Sequence, residues 1–131
     1  EGLSETVTVV SVVGRFLEHS RIFYFRNGGA EELYLASADW MPRNLERRVE
    51  LMFPVPDPAA RDRVLSILQA YFRDTVKARI LLSSGAWERR LPEPGREPFS
   101  AQDWFSESER NRFREESEAE ERVLTVRRRA P

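Results

Sequence analysis

The spacing of apolar residues switches between a period of two and a period near 3.6 along the chain, and the switches mark the elements. "TVTVVSVVG" (Thr6 to Gly14) alternates valine with threonine or serine, which predicts a strand ended by Gly14. "SRIFYF" (Ser20 to Phe25) predicts a second strand, with Ile22 and Tyr24 on one face and Phe23 and Phe25 on the other. Apolar side chains on both faces predict a strand inside a sheet, covered on both sides. Asn27, Gly28 and Gly29 are a hairpin signal, and "LYLAS" (Leu33 to Ser37) is the returning strand. "ADWMPRNLE", with Pro42, is a polar excursion, either a loop or a short turn of helix. "RRVELMFPV" (Arg47 to Val55) reads as a further strand, with Val49, Leu51 and Phe53 on one face and Arg48, Glu50 and Met52 on the other.

Asp57 followed by Pro58 is a helix start: an acceptor at the N-cap and a proline at the first helical position. Behind it, Val64, Leu65, Leu68, Tyr71 and Phe72 recur at helical spacing and predict one stripe packed on the sheet. "VKARILLSS" is another strand, Gly85 turns the chain, and "AWERRL" pairs back. From Leu91 the character changes to the proline-rich "LPEPGREP", and then to a densely charged stretch opening at the N-cap candidate Ser100. Phe99, Trp104 and Phe105 are anchors for its start; the remainder reads as a solvated helix or a partly disordered tail. There is no internal repeat. This order predicts an α/β domain, a mixed sheet flanked by helices, over residues 1–90, with a linker and charged tail over 91–131.

Composition narrows the functions. At 131 residues the chain suits one compact domain, and a hydrophobic fraction of 40% is enough for a core. A formal net charge of -1 predicts neither bulk nucleic-acid affinity nor attraction to anionic membranes, so any basic site is local. The absence of cysteine excludes disulfides, thiolate nucleophiles and cysteine zinc sites. The longest apolar run, "VTVVSVV", falls well short of the ~20 residues of a spanning helix. "EGLSET" has neither an initiator methionine nor a signal-peptide pattern and reads as part of a longer protein. Lys77 is the lone lysine among 21 basic residues. Arginine's planar fork suits phosphate, and codon bias produces the same excess.

His19 is the single histidine, directly before the second strand. Two readings fit it: a structural imidazole bonded to backbone, or a proton donor and acceptor working near neutral pH. A histidine-based metal site has no second ligand. Arg48 and Glu50, two apart on a strand, share one face; they are either a solvent-facing ion pair or a charged pair that meets a ligand. Arg43 lies in the loop before them. Gly28 and Gly29 are followed by no P-loop pattern, so they read as a turn and not as a phosphate cradle. The terminal Arg127 to Arg129 run is a basic tail.

The stretch "SVVGRFLEHSRIFYFRNGGAEELYLASADWMPRNLERRVEL" resembles the C-terminal catalytic region of the bacterial, histidine-phosphorylated polyphosphate kinases. The likeness extends more weakly from "EGLSET" to "EPFSAQDWF" and fades after about Trp104. The resemblance implies one half of a phospholipase D-like fold, in which two similar α/β halves share an active site. That superfamily typically has lysine two residues after its histidine, and later a glycine–serine–x–asparagine segment. Here Arg21 takes the lysine position, and "ASAD" (Ala36 to Asp39) replaces the glycine and the asparagine, departures that fit the kinase branch.

What the resemblance further implies is an enzyme that moves the terminal phosphate of ATP reversibly onto inorganic polyphosphate, with Mg2+, through a phosphohistidine in a preceding domain absent here. His19 then matches the family's second active-site histidine, in a supporting role. Arg48 and Glu50 match its nucleotide- and phosphate-binding pair, with Arg21 and Arg43 as weaker candidates. No metal ligand is assigned, because Mg2+ in such sites is held by substrate phosphates and water. The implied partners are ATP, ADP, polyphosphate, the remaining domains of the parent enzyme and further copies of it. The implied location is cytoplasmic or at the membrane periphery. Two other functions fit the same residues: a phospholipase D-type phosphodiesterase that dimerises to join two half-sites, and a non-catalytic module that holds polyanion.

Overall fold

The computed structural model describes Gly2 and residues 4–123. Six short strands and three helices alternate: β1 (Val10–Val12), β2 (Ile22–Phe25), β3 (Glu32–Ala36), α1 (Pro42–Arg47), β4 (Met52–Pro54), α2 (Pro58–Arg73), β5 (Ala78–Leu81), β6 (Trp87–Arg89) and α3 (Ala101–Val123). The α/β class stands, but the expected single mixed sheet is replaced by two three-stranded sheets, β1-β5-β6 and β2-β3-β4, with every pair antiparallel. The physical reason is local closure. Tight turns join β2 to β3 and β5 to β6, while α2 connects strands that belong to different sheets, so no parallel crossover forms.

The β2–β3 hairpin turns where Asn27, Gly28 and Gly29 take positive φ of 47, 66 and 107°, a conformation glycine adopts without a Cβ penalty. β2 is an edge strand with Tyr24 and Phe25 exposed, so the expectation of cover on both faces is corrected. Two of the aromatic residues that suggested it meet aromatic neighbours from elsewhere in the chain: Phe25 meets Tyr34 edge to face, and Phe23 stacks with Trp40. The expected strand from Arg47 to Val55 is also corrected. Pro42 starts α1, which takes in Arg47, and the ladder resumes only at Met52. Pro54 donates no ladder bond, which suits an edge strand such as β4.

α2 begins as its residues predict: the Asp57 carboxylate accepts from the Ala60 amide at 2.8 Å, and Pro58 occupies the first turn. It lays Val64 and Leu65 on the β2-β3-β4 sheet, where Leu33 and Val55 complete the core beside Ile22, Leu35 and Ala60. Phe72, expected in the stripe, is half exposed. The chain after Leu91 has no regular structure until α3, whose N-terminal part returns to α2: Phe105 meets Tyr71 edge to face at 5.0 Å. The Thr75 amide donates to the Phe99 carbonyl and the Phe99 amide to Thr75 Oγ1, both at 2.9 Å, and Arg73 lies over the Phe99 ring at 4.4 Å. The junction is fixed by Asp74, fully buried, whose carboxylate accepts from the amides of Val76, Lys77, Ala78 and Ala101 at 2.7–3.0 Å. The Arg127 to Arg129 run lies outside the described residues.

Candidate functional site

The entry to β2, the exit from β3 and the approach to β4 meet at one end of the β2-β3-β4 sheet. Backbone bonds continue past the strands there: the Ala36 amide donates to the Arg21 carbonyl at 2.9 Å, and the Ser37 amide to the Leu51 carbonyl at 2.9 Å. "HSR" therefore stands opposite "ASAD", with Glu50 arriving beside Ser37. A cleft of about 410 Å³ is lined there by His19, Ser20, Arg21, Ser37, Leu51 and Phe53, among others.

His19 is exposed, and its imidazole makes no hydrogen bond among the described residues, so the reading of a structural histidine bonded to backbone is not realised. Its carbonyl is held instead, accepting from Arg21 Nη1 at 3.0 Å. The rest of the Arg21 fork goes to Asp39, with Nε and Nη2 both 2.8 Å from Oδ1. This pair ties the segment before β2, which carries His19, to the loop after β3.

Glu50 is held by two donors. Ser37 Oγ donates to Oε2, and Asn44 Nδ2 donates to Oε1 at 2.8 Å. Ser37 Oγ in turn accepts from the Leu51 amide at 3.0 Å. These bonds, Ser37 first and Asn44 second, hold the Glu50 carboxyl below the usual range against a smaller opposing effect of burial, with lesser help from the Arg48 and Arg21 charges. Asn44 is buried, on α1, and its Oδ1 has no hydrogen-bond partner among the described residues.

The expected pairing of Arg48 with Glu50 on one strand face is corrected. Both precede β4, and Arg48, at the C-cap of α1, is exposed and forms no ion pair with Glu50. No cost of burying Arg48 arises. Arg43 is exposed near the start of α1, so Arg43 and Arg48 flank that helix with Asn44 between them. The sequence pattern placed His19, Arg21 and Glu50 in play, and Ser37 is the serine kept in "ASAD"; Asn44 carried no signal of its own, since an asparagine in a polar stretch is an ordinary surface residue.

Around these groups the apolar side chains of Trp40, Met41, Leu45, Val49 and Leu51 are exposed. The Asp39 and Glu50 carboxylates are already engaged. Among the described residues no group of three His, Cys, Asp or Glu is placed to hold a metal ion. The donor set of the described residues does not make a divalent-cation cage. No helix among the described residues is long and apolar enough to cross a membrane.

Comparison with known proteins identifies the family. The profile of the family described as polyphosphate kinase C-terminal domain 2 matches residues 1–102. A polyphosphate kinase of Rhodopirellula baltica is 54% identical over 102 residues, covering 78% of this chain and 12% of that protein. One of Pseudomonas aeruginosa is 48% identical over 101 residues, covering 77% of this chain and 15% of that one. The crystal structure of polyphosphate kinase from Porphyromonas gingivalis superposes with a TM-score of 0.71 at 38% identity, over 80% of this chain and 16% of that one. The chain thus spans about one seventh of the length of such relatives. With its profile, its sequence relatives and its fold in agreement, the chain belongs to the polyphosphate kinase C-terminal domain family.

Proposed function

We propose that this chain supplies half of a phosphoryl-transfer site in an enzyme that moves the terminal phosphate of ATP reversibly onto inorganic polyphosphate. The observation that carries the reading is an exposed His19 imidazole, without a hydrogen-bond partner among the described residues, in the same cleft as Ser37, whose hydroxyl donates to Glu50. In the forward direction, the bond between the γ-phosphorus and the β,γ-bridging oxygen breaks while a bond forms to a histidine nitrogen elsewhere in the parent enzyme. His19 donates its N–H to the departing ADP oxygen, stabilising the charge that develops there. A loose transition state of this kind asks chiefly for positioning and positive charge, which Arg48 and, more weakly, Arg43 and Arg21 supply to phosphate oxygens. Each Glu50 oxygen keeps a lone pair beyond its present bond, and it accepts from the Arg48 guanidinium once phosphate draws that side chain in.

The reading includes a phospholipase D-like arrangement of two halves. The exposed apolar residues from Trp40 to Leu51 support it, since a surface of that composition is suited to cover by another part of the same enzyme. Mg2+ arrives with the nucleotide phosphates. The location is cytoplasmic, and the parent enzyme assembles with further copies of itself.

The test is intact-mass measurement after incubation with Mg2+ and ATP, under mildly basic conditions that preserve phosphohistidine. The isolated chain is expected to stay unmodified and make no polyphosphate. His19→Ala in the full-length enzyme is expected to lose synthesis. A phosphoryl adduct mapped to His19 would overturn the supporting role and favour a phospholipase D-type nucleophile.

A further inference from the structure

His19 lies on a non-helical strap whose preceding residues are held by a side chain distant in sequence. Gln102, in the first turn of α3, uses its whole amide on that strap. Its Oε1 accepts from the Arg15 amide at 2.8 Å and the Phe16 amide at 3.2 Å. Its Nε2 donates to the Phe16 carbonyl at 2.9 Å and to Glu18 Oε1 at 2.8 Å. Two acceptor and two donor contacts exhaust what one amide offers. Glu18 is held again through Oε2, which accepts from the Tyr71 hydroxyl at 2.9 Å, and that hydroxyl is 3.4 Å from Ser20 Oγ. The two neighbours of His19 are thus fastened to α2, while the strap before them is fastened to α3.

Gly14 shows how closely the amide is seated. A Cβ there would lie 2.3 Å from Gln102 Oε1, 2.4 Å from Cδ and 2.6 Å from Nε2, so any other residue would collide with the amide head. The φ of Gly14 is not in the left-handed region, which leaves this close approach as the reason glycine suits the position. The root of Gln102 is fixed as well, because the neighbouring Ala101 amide donates to buried Asp74 at 2.8 Å.

We infer that Gln102 is a positioning residue for His19: α3 fastens the Gly14–Glu18 strap so that the imidazole is presented to the cleft in one place. The inference rests on the working role of His19 given above. Displacement of a catalytic group by an ångström costs up to ~100-fold in rate.

The experiment uses the full-length enzyme carrying this segment, with initial rates of polyphosphate synthesis from ATP. Gln102→Ala is expected to lower kcat about 10-fold or more, with KM for ATP and the thermal midpoint close to the parent's. Gly14→Ala is expected to do the same by pushing the amide aside. The double variant is expected to be no slower than Gln102→Ala, because removing the amide makes room for the methyl group. Effects of the two changes that multiply, or a kcat for Gln102→Ala within twofold of the parent, would overturn the inference.

His19→Ala serves as the control for the underlying reading; if that enzyme keeps its rate, the role of His19 fails. The clamp is then decided in the 131-residue chain, whose lone histidine gives one imidazole Cε1–H resonance. A shift or broadening of that resonance in Gln102→Ala supports the clamp. An unchanged resonance refutes it.

Discussion

Removing the Asp74 carboxylate should unfasten α3 from the rest of the molecule, and its magnitude can be worked from four bonds. Oδ1 accepts from Val76, Lys77 and Ala78, and Oδ2 from Ala101. Hydrogen bonds to a charged group are worth ~1.5–3 kcal/mol each, and the larger cost falls on donors that water cannot reach afterwards. Ala78 and Ala101 are fully buried, whereas Val76 is partly exposed and Lys77 exposed, so their amides can turn to solvent. Two stranded donors set the cost of Asp74→Ala at about 3–6 kcal/mol, a large part of the ~5–15 kcal/mol typical of a domain. Asp74→Asn keeps one oxygen for the three clustered amides but turns an NH2 toward the Ala101 N–H, and costs about 1–3 kcal/mol. Urea unfolding of the 131-residue chain, followed by circular dichroism and tryptophan fluorescence, reads both. The midpoint for Asp74→Ala should fall by about 2 M or more, with Asp74→Asn between it and the parent. A midpoint for Asp74→Ala within about 0.5 M of the parent would refute the reasoning. So would a more stable Asp74→Asn, since that would mean the buried charge is poorly compensated.

Leu33→Ala, at the centre of β3 against Val55 and Val64, should cost about 2–5 kcal/mol through lost burial and a residual cavity, read by the same urea titration. Ser37→Ala removes the larger of the two bonds on Glu50 and should move its titration midpoint up toward the ordinary carboxylate range, measured by side-chain NMR; an unmoved midpoint would show that Ser37 does not hold it. Because the folded-state pKa of Glu50 is depressed, its contribution to stability is full above the unfolded value. It is lost as pH falls through the folded value, so the acid limb of a stability–pH curve should flatten in Ser37→Ala.

Local chemistry explains what was legible in the sequence. Asp57 and Pro58 cap α2 within a single turn, and Asn27 to Gly29 close a hairpin within a few residues. Neither needs a distant partner. Sheet membership does: Val10 pairs with Ile80, and a period of two says nothing about which strand lies alongside. The segment from Arg47 to Phe53 alternates like a strand, yet Pro42 had already committed its first residue to α1. In the site, His19 and Glu50 stood out, and their likeness to a family pattern gave them expected roles. Gln102 did not, because what makes it notable is contact with a strap 84 to 87 residues earlier in the chain.

The Asp74–Ala101 contact spans a sequence separation of 27. The chain between the two holds β5, β6 and a tether stiffened by Pro92, Pro94 and Pro98. In polymer terms the contact closes a ring, and the entropy of closing a ring rises only with the logarithm of its length. Doubling the contour adds ~0.6 kcal/mol, far less than the bonds waiting at the end of it. The prolines narrow the unfolded ensemble, so part of the ordering cost is absent from the start. The length of the tether is therefore a nearly neutral variable, while the point where it lands is not. Insertions between Leu91 and Pro98 are expected to leave the seat of Gln102 on Gly14 intact.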